Sequence, residues 1–147
     1  MFKILVTFLI ALSIPVTLSA QDRFSIQVNE TFDDMSFAVE NAILNHGLVI
    51  DSVSHVGDML ARTSKDVGGE NDIYVNARTY NFCSAMLSRE VMALDPTNIS
   101  YCPYSIYVFT TTEDPDETVI GHQLFLYPEM SEVNDLLRDI VLEATDY

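Results

Sequence analysis

The chain has 147 residues, with 22 acidic residues against 7 basic ones and a formal charge of −15. That balance excludes nucleic acid and anionic membrane surfaces as natural partners, because their phosphates would be repelled. A small ligand, a metal cation or a cationic protein stays open, and the length suits one domain with an ordinary core.

At the N-terminus a lone base, Lys3, precedes Ile4 to Leu18, which is overwhelmingly apolar. Small residues, Ser19 and Ala20, then meet polar Gln21, Asp22 and Arg23. This is the three-part pattern of a secretory signal peptide. Residues 1–20 are therefore expected to be a cleaved leader, and 21–147 a single domain. The apolar run of about 15 residues is interrupted by Pro15 and is short for a bilayer span, so no stable span is expected after cleavage. Loss of Lys3 leaves 6 basic against 22 acidic residues, a charge of −16. The expected location is periplasmic or secreted, which is oxidising.

Ser25 to Val28 alternates as a short strand. Thr31 can cap a helix whose first turn holds Asp33 and Asp34, where negative charge meets the positive end of the helix dipole. Phe32, Met35, Val39, Ala42 and Ile43 repeat at helical spacing, and Gly47 ends the helix. Leu48 to Val56 reads as a strand, and Asp58 to Lys65 as a shorter helix with Met59 inward. Gly68 to Asp72 is a polar turn. Ile73 to Tyr80 is a strand, with Tyr74 and Tyr80 on one side by even spacing. Asn81 to Leu94 is helical, with Met86, Leu87, Val91 and Leu94 as its buried stripe. Asp95-Pro96 stops it, because the residue before proline disfavours the helical region. Tyr104 to Thr111 and Thr118 to Leu126 are strands around an acidic turn. Pro128-Glu129 opens a terminal helix with Val133, Leu137, Ile140 and Val141 inward. The order gives an α+β fold, a mostly antiparallel sheet with helices packed on one face.

Three blocks carry a family resemblance. They are Gly47-Leu48-Val49-Ile50-Asp51 leading to Ser54-His55, then Tyr80-Asn81-Phe82-Cys83 with Leu87, then Tyr101-Cys102-Pro103-Tyr104 entering a strand. In order and spacing the chain resembles domain-of-unknown-function family 302, the TT1751-like fold, over roughly Phe24 to Leu142. Ser84-Ala85 stands where that family often has asparagine and proline. The resemblance implies a small α+β domain, often a homodimer, without a general assigned activity.

Cys83 and Cys102 are the only cysteines. In an exported protein two cysteines most simply form one disulfide. The alternative is a redox pair, since Cys83 falls near a helix start, where the thiolate is favoured. His55 sits in a family-like block and is a candidate ligand-binding residue. His122 lies inside a strand, where a core-facing imidazole would need a partner. Tyr101, Tyr104 and Tyr107 surround Cys102, and with Tyr74 and Tyr80 of the earlier strand they are candidates to line a pocket or a dimer surface, because tyrosine tolerates a half-wet setting. No cofactor is named by the sequence. Covalent c-type haem is excluded by the lack of Cys-x-x-Cys-His, while a non-covalent haem or a metal stays open.

No nucleophile elbow, Walker loop, dinucleotide loop or His-Glu-x-x-His is present. The leading expectation is an exported, non-catalytic accessory protein that binds a small ligand, metal or haem. The alternatives are a thiol–disulfide redox protein using Cys83 and Cys102, and a structural or assembly homodimer.

Overall fold

The computed structural model describes residues 22–69 and 73–146. The proposed leader lies outside these residues, as do Glu70, Asn71 and Asp72 of the expected polar turn. Five strands form one sheet: β1 (Arg23–Val28), β2 (Ile50–Ser54), β3 (Tyr74–Phe82), β4 (Tyr104–Thr111) and β5 (Thr118–Gln123). Their order across the sheet is β1-β5-β4-β3-β2, and every pairing is antiparallel. The helices are α1 (Phe32–Asn45), α2 (Val56–Thr63), α3 (Ala85–Leu94) and α4 (Ser131–Thr145). Short 3-10 turns cover Pro96–Tyr101 and Pro128–Met130. This is the α+β architecture expected from the sequence. Among the described residues no helix is long and apolar enough to cross a membrane.

Local chemistry sets the helix ends. Thr31 Oγ1 accepts the Asp34 N–H at 3.1 Å and donates to the Asp34 carboxylate at 2.6 Å. One side chain thus satisfies a free N–H of the first turn and fixes its acid. Gly47 lies beyond the helix at φ 73°, a conformation that costs a glycine little. Ser84 Oγ receives the Leu87 N–H and caps α3. The third helix therefore starts at Ala85 rather than Asn81, and Asn81 and Phe82 belong to β3. Its inner stripe keeps Leu87 and Val91, but Met86 and Leu94 are exposed. Met59 is likewise largely exposed rather than inward. Asp95 serves two elements. Its N–H closes α3 on the Val91 carbonyl, and its carboxylate accepts the Thr97 N–H at 2.8 Å to open the 3-10 turn.

One sheet face is covered by α1, α3 and α4. Val39 and Ile43 of α1, Leu87 and Val91 of α3, and Val133, Leu137 and Ile140 of α4 join the core formed by Tyr80, Phe82, Ile106, Val108 and Ile120. Helix α2 is the exception. Strand β2 pairs only with the last part of β3, from Thr79 to Phe82. Helix α2 packs along the other part, where Gly57 approaches the backbone of Asn76 and Ala77 so closely that a Cβ would lie 2.8 Å from the Ala77 nitrogen. Among the described residues the opposite sheet face carries no helix layer.

Cys83 and Cys102 are joined as a disulfide with Cα atoms 6.1 Å apart. The bond ties the residue before the Ser84 cap to the residue after the 3-10 turn. The Cys102–Pro103 peptide is cis.

Candidate functional site

Cross-strand pairing divides the sheet into rows that alternate between its faces. One row runs Phe24–His122–Ile106–Tyr80–Val53 and faces the helices. The next runs Ser25–Gly121–Tyr107–Thr79–Ser54 and faces away from them. The second row crosses a recess of about 550 Å³ on the face opposite α1, α3 and α4. That volume falls in the range of small-molecule sites.

The recess is built from β-strand periodicity and one irregularity. Tyr107 and Phe109 leave β4 on the same face because they are two residues apart. Their ring centroids are 5.9 Å apart and their planes differ by 31°. Tyr74 joins them because a bulge lies between the Tyr74 and Asn76 pairings of β3. An extra residue shifts the alternation, so Tyr74 and Tyr80 do not share a side as their even spacing suggests. Tyr80 goes to the core, while Tyr74 packs edge-on against Phe109 at 5.4 Å and 66°. Val56 of α2 and Ala77 complete the apolar wall.

Gly121 determines the floor. A Cβ there would meet the Phe24 carbonyl oxygen and come within 2.7 Å of Tyr107 Cζ. Without it, Tyr107 lies across β5 and its hydroxyl donates to the Phe24 carbonyl at 3.4 Å. Burial raises the Tyr107 pKa, outweighing the opposing influences of the Ser25 hydroxyl and the Arg23 charge. Arg23 and Asp22 stand at this end of the recess, paired at 3.0 Å. Hydrogen bonding to Arg23, followed by its charge, holds the Asp22 carboxyl below its ordinary range.

Of the residues singled out from sequence, Tyr74 and Tyr107 line this recess, and the others lie elsewhere. His122, Tyr80 and Tyr104 are inside the covered core, each at most 1% exposed. His122 Nδ1 meets the Gln123 carbonyl at 2.9 Å, and Nε2 has no hydrogen-bond partner. Burial lowers its pKa, the Gln123 hydrogen bond opposes this, and the Arg138 charge adds to the lowering. The Tyr80 hydroxyl also has no hydrogen-bond partner, whereas Tyr104 Oη lies 3.3 Å from Ser88 Oγ. Ser88 Oγ in turn lies 3.8 Å from Cys102 Sγ. Tyr101 stacks edge-on against Phe125 at 5.2 Å, and Phe125 reaches Tyr104 at 6.2 Å. The structure thus gathers Tyr101 and Tyr104 beside the disulfide. His55 is separate, at the start of α2, with Nδ1 3.7 Å from Asp58 Oδ2.

Among the described residues no group of three or more His, Cys, Asp or Glu side chains is placed to hold a metal ion. No described histidine, cysteine or methionine lines the open recess, so a haem there would have only tyrosine oxygen as a side-chain axial ligand of the familiar kinds. Sequence reasoning reaches Tyr74 and Tyr107 but not Phe109, because β4 carries large apolar residues on both faces. Gly121 is the available signal, since a glycine inside a strand marks close approach by another group.

The fold matches the crystal structure of an uncharacterized conserved protein, DUF302, from Bacillus stearothermophilus. The match has a TM-score of 0.63 and 14% identity, covering 86% of this chain and 95% of that one. The resemblance carried by the three sequence blocks is thereby shown at the level of the fold. No protein-family model and no curated protein matches the chain.

Proposed function

We propose that this chain is an exported, non-catalytic binding protein whose small-ligand site is the open face of its sheet. The observation that carries this reading is the recess of about 550 Å³ floored by Tyr107 and Phe109. Side-chain rings half-exposed in a concave site offer apolar area to a ligand, while Ser25, Thr79 and Gln123 offer polar contacts at its margin. Export rests on the leader-like residues 1–20. Native mass spectrometry of protein isolated from its own exported fraction tests both parts. The expected species starts at Gln21 and releases a small molecule on denaturation, and Phe109→Leu reduces that occupancy. A chain retaining Lys3, or a ligand-free protein whose thermal stability no fraction of the native extract changes, would overturn the corresponding part.

A second reading has its own observation. The Cys83–Cys102 disulfide is partly accessible, and Cys83 immediately precedes the Ser84 cap of α3. Helix N-terminal N–H groups favour a thiolate released by reduction. A redox role requires the bond to open at potentials well above the roughly −300 mV of structural disulfides. Equilibration with glutathione buffers, read by alkylation and mass, distinguishes the two roles.

A further inference from the structure

The shape and charge of the open face point to a class of ligand, on the premise that this face is the binding site proposed above. Tyr107 and Phe109 present two adjoining rings, tilted 31° to each other with centroids 5.9 Å apart. Tyr74 stands against Phe109 at 66° and supplies a wall. Three clustered aromatic rings fit a planar ring system better than a flexible chain, because a planar ligand can stack on one ring and meet the others at its edges. Aromatic faces are electrostatically negative and attract cations. The guanidinium of Arg78 does not oppose this from inside the recess, because it lies over Phe32 on the covered side, 5.0 Å from that ring. Arg23 is neutralised locally by Asp22. The chain as a whole carries −15, so its summed field also draws in cations and repels anions.

We propose that the open face binds a planar aromatic cation among the rings of Tyr107, Phe109 and Tyr74. An N-alkylated fused-ring heteroaromatic has the required chemistry. Gly121 is the positioning residue, since any side chain there displaces Tyr107 from the floor.

The test is an equilibrium titration of the mature protein, followed by tyrosine fluorescence, with four probes. These are N-methylquinolinium, uncharged quinoline, naphthoate, and the flexible cation decyltrimethylammonium. The expected result is that N-methylquinolinium binds about ten-fold more tightly than the other three, with a moderate loss in high salt. Phe109→Leu keeps apolar bulk but removes the ring, and is expected to weaken N-methylquinolinium about ten-fold without unfolding the chain. Gly121→Val should do the same if it folds. Equal binding of quinoline or naphthoate overturns the cation assignment and leaves the open-face site standing. Tightest binding by decyltrimethylammonium overturns the planar assignment alone. No binding of any probe overturns the site itself. A sedimenting dimer that Phe109→Leu converts to monomer also overturns it, because the face would then be covered by a second copy.

Discussion

Two neighbouring rows of the same sheet show how one backbone produces two environments. Ile106 and Tyr107 are consecutive, yet Ile106 is wholly buried and Tyr107 borders an open recess. His122 and Gly121 are consecutive as well. The imidazole is enclosed with one nitrogen lacking a hydrogen-bond partner, while the glycine makes room for a tyrosine ring. The covered row therefore concentrates stability and trapped polar groups. The open row concentrates accessible aromatic surface. Polar residue type alone does not locate a site in such a sheet, because the face decides whether a polar group can meet a ligand.

The most direct way to break this comparison is to substitute one residue from each face of β4. Ile106→Ala removes a fully buried side chain at the centre of the core, and should destabilise by about 2–5 kcal/mol through lost burial and the cavity left behind. Phe109→Leu preserves most apolar volume on the open face and should cost less than about 1.5 kcal/mol. Urea unfolding measures both. Equal losses would mean that the open face is as much a core as the covered one, and the functional distinction between the rows would fail.

The disulfide provides the next effect. It closes a loop with a sequence separation of 19 at the α3 end of the molecule. The chain-entropy model assigns a loop of this size about 3 kcal/mol. Replacing both Cys83 and Cys102 by alanine should lower unfolding stability by that order while leaving ligand affinity at the open face unchanged. Loss of affinity in a variant that still folds would show that the bond also holds the Ser105 end of the recess in place, and would contradict a purely stabilising role. A stability change below about 1 kcal/mol would remove the structural account of the bond.

Much of the scaffold is legible in the sequence because its signals are local or strongly periodic. Thr31 before Asp33 and Asp34, Gly47 after the α1 stripe, and the inward series Val133, Leu137, Ile140 and Val141 all state their structural roles in a few residues. The open-face site is less legible because its cause is nonlocal. The bulge that turns Tyr74 outward exists only in the pairing of β3 with β4. Strand β4 reads Tyr-Ser-Ile-Tyr-Val-Phe, apolar on alternate positions of both faces, so its own pattern cannot say which face is covered. Likewise, His55 stands out in the sequence for its place in a family-like block, but the structure puts it at the start of α2 and not among the residues that line the recess. Tyr80 and Tyr104 carry groups suited to a half-wet pocket, yet their cross-strand partners Ile106 and Phe82 draw them into the core.

The smallest expected effect concerns the polar group enclosed on the covered side, and it gives the comparison a pH signature. His122 has Nδ1 beside the Gln123 carbonyl and Nε2 without a hydrogen-bond partner. Protonation would place a charge beneath the helices, and burial lowers the folded-state pKa, with the Arg138 charge acting in the same direction. The unfolded chain takes up this proton near the ordinary histidine value of about 6.5, before the folded chain does. Below that pH the unfolded state therefore binds more protons, and stability falls as pH falls. The stabilising difference is complete above about 6.5 and declines by up to about 1.4 kcal/mol per pH unit until the folded-state pKa is reached. The measurement is urea unfolding at pH 7.5, 6.5 and 5.5, chosen about the ordinary histidine pKa. Replacing His46 and His55 by glutamine removes the other two imidazoles. In that background, stability should fall between the two lower pH values, and His122→Phe should flatten the dependence. An unchanged slope in His122→Phe would show that His122 titrates alike in both states, and that its enclosure on the covered face does not exclude the proton.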